Sequence, residues 1–232
     1  MEPALLLSIV IPTFNAEREL PATLESISQI GGQTGFPSEI VIADGGSTDA
    51  TPALAARAKA AFIAVPGGRG AQLAAGAGAS VGDWLLFLHA DTRPQPGWNH
   101  VAEAFMMDAR NRFRAGYFRF ILNDGAAAAR RLERLVHWRC RVLALPYGDP
   151  GLLISRQFYD LLGGFAEIQL LDDVDMARRI GRKRLLPLAA AAVTSAERYQ
   201  QGGYWLRPAK NLLCLGLYLV GLPPHLISGL YE

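Results

Sequence analysis

The stretch WLLFLHADTRP (84–94) ends a run of five apolar residues, Trp84 to Leu88, with His89 and Asp91. Asp, Thr and Pro are ordinary turn formers, so a turn alone would account for it. The carboxyl end of a parallel strand is also where open α/β sheets keep their ligands. A carboxylate there can anchor Mg²⁺, which takes one or two protein carboxylates and fills its remaining positions with phosphate oxygens and water. Asp91 is therefore a candidate cation ligand. In ADGGSTD, Asp44 holds a second such position, suited to a ribose or a base, while Gly45 and Gly46 allow close backbone approach. The plainer explanation of Asp44 is an Asp-Gly turn.

These residues share a site only if the elements around them form a sheet. LLLSIVIP (5–12), EIVIAD (39–44), AFIAV (61–65) and WLLFLHA (84–90) read as strands, and 19–30, 49–60 and 69–81 between them as helices. That alternation predicts a doubly wound parallel sheet. Asp49 or Thr51 can cap the second helix, with Pro52 near its first position. GRGAQLAAGAGAS (69–81) has side chains small enough to approach the sheet closely. TFNAE, DGGSTD and HADT follow three strand ends; one polar end is a turn, whereas three on one edge form a cleft. Further on, the pattern predicts a helix over 97–110, a strand over 117–122 and a short strand over 151–156. A helix over 129–145 is amphipathic, with Leu132, Leu135, Val136 and Leu143 on one side. The helix over 172–183 starts acidic and ends basic, as its dipole favours.

With 232 residues and 50% apolar content, the chain suits one compact domain, 1–200, with a helical extension at 201–232. A net charge of +2 gives no case for nucleic acid as a partner. The basic clusters RRLERLVHWRCR (130–141) and RRIGRKR (178–184) read as solvated helix faces or as anion-attracting surfaces. Cys140 and Cys214 have no metal-ligand spacing and fit a reducing cytosol, and the start Met1-Glu2-Pro3 shows no basic leader, so a cytoplasmic protein is expected. No G-x-G-x-x-G follows the first strand, and PGGRGAQ lacks the Gly-Lys-Ser/Thr end of a P-loop, which excludes nicotinamide oxidoreductases and P-loop kinases. LLCLGLYLVGL (212–222) is eleven apolar residues after Arg207 and Lys210, short of the ~20 a spanning helix needs. It reads as a core helix, for which Gly216 and Gly221 permit close packing, or as one lying on a membrane surface.

SIVIPTFNAERELPATLESI, EIVIADGGSTDAT, GRGAQLAAGAGASVGDWLLFLHADT, YGDPGLLISRQFYDLLGGF, LLDDVDMARRI and TSAERYQQGG, in this order, resemble the family 2 inverting glycosyltransferases of the GT-A fold. They are most similar to a short bacterial subfamily labelled arsenosugar-biosynthesis glycosyltransferases, over about residues 7 to 230. The resemblance implies a Rossmann-like, mostly parallel sheet flanked by helices. It implies a UDP- or GDP-sugar donor, a hydroxyl acceptor and Mg²⁺ or Mn²⁺ as cofactor. Thr13, Asn15, Glu17, Asp44 and Gly46 would line the nucleotide pocket, with Arg69 also set against the donor. Asp91 stands at the metal-binding aspartate of the Asp-x-Asp motif, and His89 replaces its first aspartate. In LLDDVD, Asp173 matches the general base and Asp172 its neighbour, where glutamate is usual. A positioned carboxylate can take the acceptor's proton, and two adjacent acids raise each other's proton affinity. Helix N-capping would also explain both acids. Arg198 matches an arginine whose fork would neutralise the leaving diphosphate. Glu197 stands where arginine is common, and Pro150 where glutamine usually follows Gly-Asp.

Two other classes compete with this reading. A non-catalytic nucleotide-sugar-binding protein would have no use for acids beneath the cleft. A glycoside hydrolase would use two carboxylates but would need no Asp-x-Asp-like metal position. The acceptor reads as a small soluble molecule if 212–222 packs on the sheet. If that segment lies beside the basic helix, the alternative is a lipid-linked acceptor and peripheral contact with a membrane.

Overall fold

The computed structural model describes residues 5–28, 36–146, 150–168, 170–223 and 226–227. The Tyr147–Asp149 part of the YGDPG motif lies outside them.

The predicted alternation is present: β1 (Leu7–Thr13), α1 (Leu20–Ser28), β2 (Ser38–Asp44), α2 (Thr51–Arg57), β3 (Ala61–Ala64), α3 (Arg69–Ala79) and β4 (Trp84–Phe87). Successive strand residues point to opposite faces. Leu7, Ile9 and Ile11 of β1 accordingly pack in one core with Leu20, Leu24 and Ile27 of α1, while Val10 packs in the other with Leu73 and Ala77 of α3. Such double burial explains why these strands read as unbroken apolar runs. The small residues of α3 serve close contact: a Cβ on Gly76 would stand 2.4 Å from Val10 Cγ1. In α2 the N-cap position falls to Ala50, and Asp49 contributes by accepting the Thr51 amide at 2.9 Å.

Beyond β4 come β5 (Thr92–Pro94), α4 (Trp98–Met107), β6 (Ala115–Leu122), α5 (Ala127–Leu143), β7 (Leu152–Ser155) and α6 (Arg156–Leu161). They are followed by α7 (Asp172–Ile180), β8 (Leu185–Thr194), α8 (Glu197–Gly202) and α9 (Leu206–Leu219). The sheet runs β3-β2-β1-β4-β7-β6-β8-β5; its first four strands are mutually parallel, β7 is antiparallel to both neighbours, and β6 and β8 are parallel.

Two strands carry no sequence signal. Thr92–Pro94 reads as a turn yet pairs with β8, Thr92 opposite Thr194. LLPLAAAAVT, which becomes β8, is alanine-rich and contains a proline, both poor strand formers. A register shift against β6 after Pro187 accommodates it.

The apolar stripe of α5 also differs from the expectation. Leu132 and Val136 are buried, along with Ala129 and Cys140, but Leu135 and Leu143 are half exposed. Glu133 lies on the buried stripe because its Oε1 accepts the Leu122 amide at 2.8 Å and pairs with Arg130 at 3.0 Å. The C-terminal apolar segment packs by one stripe only: Cys214 and Leu215 join the core, while Leu212 and Leu213 stay exposed. Gly216 does not serve close packing, since a Cβ there would meet nothing within 4 Å. Among the described residues no helix is long and apolar enough to cross a membrane.

Candidate active site

The predicted site residues fall into two groups. At the carboxyl ends of β1 and β2, Thr13 stands opposite Asp44 in the parallel register and donates its hydroxyl to Asp44 Oδ1 at 2.8 Å. The Ser47 hydroxyl reaches the same oxygen at 2.5 Å, while the Gly46 and Ser47 amides donate to Oδ2 at 2.9 and 2.7 Å. Gly46 has φ +98°, which a side chain would strain. Burial pushes the Asp44 carboxyl up, but the Ser47, Thr13 and Gly46 donors outweigh it and hold the carboxyl below its ordinary range. All four acceptor positions of Asp44 are thus filled from within the chain.

Asn15 and Glu17, both exposed, lace the loop after β1 to the loop after β2. Asn15 Oδ1 accepts the Thr48 amide at 2.9 Å, and Glu17 Oε2 accepts the Ala50 amide at 3.0 Å. Sequence reasoning missed Gln72, a buried residue of α3 whose Nε2 donates to the Thr13 and Ala43 carbonyls at 2.7 and 2.9 Å and ties the two strand ends together. Its signal was no more than a lone polar residue in an apolar helix.

The second group gathers around a cavity of about 380 Å³ whose lining includes Arg69, His89, Asp91, Asp173 and Arg198. Asp91 is buried in the turn between β4 and β5, and its carbonyl accepts the Ser195 amide at 3.2 Å. This bond and the Thr92–Thr194 pairing carry the end of β8 to the end of β4. Arg198, on α8, thereby comes within 3.9 Å of the Asp91 carboxylate. His89 sits beside them; burial, with the charges of Arg69 and Arg198, lowers its pKa to about 4 against the pull of Asp91 and Asp173, so the ring is neutral at pH 7.

Asp172 and Asp173 open α7 without occupying its N-cap position, although Asp173 Oδ1 accepts the first-turn amide of Val174 at 2.8 Å. Leu171 holds the N-cap position at φ +66°, a strained conformation for leucine. Asp172 is fully buried and grips Arg69, whose Nε stands 3.0 and 3.1 Å from its two oxygens and whose terminal nitrogen is 2.6 Å from Oδ1. That nitrogen also reaches Asp173 at 3.1 Å. Burial and the neighbouring Asp173 push the Asp172 carboxyl up against the pull of Arg69. Arg69 is therefore turned towards the acid pair. One turn on, Asp175 is bound by Arg179 at 2.9 and 2.5 Å. Of the three acids in LLDDVD, Asp173 is the one that reaches the cavity lining.

Among the described residues no three His, Cys, Asp or Glu side chains converge as a metal cage. A single carboxylate beside a neutral imidazole does not suit Zn²⁺, which takes three or four protein ligands. It fits a cation that draws most of its ligands from substrate phosphates and water.

An open α/β sheet with carboxylates at the ends of β2 and β4, closed over by a mixed second half, is the architecture of the GT-A glycosyltransferases. Glucosyl-3-phosphoglycerate synthase from Mycobacterium tuberculosis, solved with Mn²⁺, uridine diphosphate and glucosyl-3-phosphoglycerate, superposes with a TM-score of 0.62 at 19% identity, covering 94% of this chain and 81% of that one. S. aureus TarS superposes with a TM-score of 0.62 at 15% identity, over 97% of this chain and 42% of that one. Residues 8–111, from β1 through the Asp91 turn and α4, match the model of glycosyl transferase family 2. The chain is thus similar to that family over its first half and shares the fold of these glycosyltransferases. A PGL/p-HBAD biosynthesis glycosyltransferase of Mycobacterium tuberculosis is 39% identical over 101 residues, covering 37% of this chain and 35% of that one. The chain thus spans about a third of the length of the curated relatives it matches.

Proposed function

We propose that the protein transfers a sugar from a nucleoside-diphosphate donor to a hydroxyl acceptor, with inversion at the anomeric carbon. The observation that carries this reading is that Asp91, Arg198 and Asp173, from three separate elements, line one cavity at the carboxyl edge of the sheet. The donor lies over the ends of β1 and β2, where Thr13, Asn15, Glu17, Gln72 and Asp44 hold the two loops in shape. Complexes of the structural relatives with uridine diphosphate favour a UDP-sugar over a GDP-sugar.

Asp91, with His89 beside it, would hold Mg²⁺ or Mn²⁺, and the relatives' complexes with these ions support that assignment. When bound, the cation supplies positive charge that stabilises the departing diphosphate. Arg198 adds a guanidinium on the same side. Asp173 accepts the proton of the acceptor hydroxyl as its oxygen attacks the anomeric carbon from the face opposite the diphosphate. A carbon–oxygen bond forms, the bond to the diphosphate breaks, and the leaving group takes the electron pair. Asp172 and Arg69 position the base. The tie between Arg69 and Asp173 also favours a second reading, a donor-binding protein in which the acid is held back from chemistry.

Hydrolysis of UDP-glucose without acceptor, measured with Mn²⁺ and with chelator, separates the two. Release of uridine diphosphate that depends on the cation and on Asp173 supports the transferase. Binding without any release supports the second reading.

A further inference from the structure

The cavity that holds Asp91, Asp173 and Arg198 at one end continues as an apolar groove between α5 and α9. Leu135, Trp138 and Leu143 line it from α5, and Trp205, Leu212 and Leu215 from the opposite side. Leu132, Val136 and Cys214, all buried, form its floor. We propose that this groove binds the apolar body of the acceptor, so that the substrate class is an amphiphilic alcohol whose hydroxyl meets Asp173 and whose hydrocarbon or aromatic portion lies between the two helices. The proposal rests on the transferase reading.

Three observations support it. Thr13, Asn15, Glu17 and Asp44 are not among the lining residues, so the groove leads away from the donor side. Trp138, Trp205 and Leu212 are 53%, 70% and 63% exposed, a wet apolar wall of the kind that marks a binding site on a soluble surface. The whole cavity, groove and polar end together, has a volume of about 380 Å³, within the range of small-molecule pockets. A bilayer presents a flat face and does not fill a concave groove with a closed floor, so the observations favour a single acceptor molecule over a membrane surface.

The test uses butyl, hexyl and octyl β-D-glucosides as monomeric probes below their micelle concentration. Trp138 and Trp205 line the groove while Trp84 and Trp98 are buried in the core, so intrinsic fluorescence reads binding independently of turnover. Affinity should rise about threefold to fourfold per added methylene. Leu212→Asp and Trp138→Ala, both at exposed positions, should flatten that dependence. Affinities that ignore chain length in the wild-type protein would overturn the proposal. So would sedimentation with anionic phospholipid vesicles without any response to the monomeric glucosides, which would assign this face to a membrane. Wild-type hydrolysis of UDP-glucose is the control: if present while chain length has no effect, the groove assignment fails alone, and if absent under every condition, the transferase reading fails.

Discussion

Arg69 and Asp172, 103 residues apart in the sequence, form a forked ion pair behind the cavity, and the same guanidinium reaches Asp173 at 3.1 Å. Removing one partner of a buried pair leaves a buried charge without compensation and costs about 3–5 kcal/mol, whereas an apolar pair of similar volume is often neutral. Arg69→Met should therefore destabilise the protein by about that amount in urea unfolding, and the double variant Arg69→Met, Asp172→Leu should recover most of it. If the double variant is as unstable as the single one, the cost lies elsewhere than in the unpaired carboxylate.

Asp44 gives the fold a dependence on acid. Its pKa is depressed in the folded protein, so its contribution to stability is full above the ordinary carboxyl range and is lost as pH falls through the folded value. Asp44→Asn should lower stability at pH 7 and reduce the loss between pH 7 and strongly acidic solution. The check is the urea midpoint of both proteins as a function of pH. Identical slopes would show that the turn donors do not stabilise the ionised form.

The contact of α3 with β1 admits nothing larger than glycine at position 76, since the Val10 methyl group would stand 2.4 Å from a new Cβ. Overpacking of a dense core costs typically about 1–3 kcal/mol. Gly76→Val should fall at the top of that range or beyond in denaturant unfolding. Gly78→Ala on the same helix meets nothing within 4 Å and should be neutral or slightly stabilising.

The first half of the chain was legible because β1, β2 and β4 are buried on both faces and end in polar residues, so Asp44 and Asp91 stood out at the ends of apolar runs. The second half was not. The alanines and Pro187 of β8 have no period to read, yet that strand carries Arg198 to Asp91. Leu135 and Leu143 fit the helical period of α5 but face the groove rather than the core, a distinction that depends on where α9 lies. The fork between Arg69 and Asp172 joins two helices far apart in sequence, and neither segment signals it locally.

Nucleotide binding should depend on the cation and on Asp91. Calorimetric titration of uridine diphosphate should give a strong signal with Mn²⁺ and little with chelator, and Asp91→Ala should lower the affinity by at least tenfold in the presence of the ion. Equal affinities with and without the ion would remove the metal from the account.

The most direct test of the central claim is Asp173→Asn, which keeps the size of the side chain but removes the proton acceptor. Asp172 is fully buried and neither it nor Asp175 lines the cavity, which leaves Asp173 as the acid of the three placed to meet an acceptor. Turnover from UDP-glucose to an alkyl glucoside acceptor should fall by about 10²-fold or more, while the affinity for uridine diphosphate stays within about twofold of wild type. A variant that keeps wild-type turnover would contradict the assignment of Asp173 as the base.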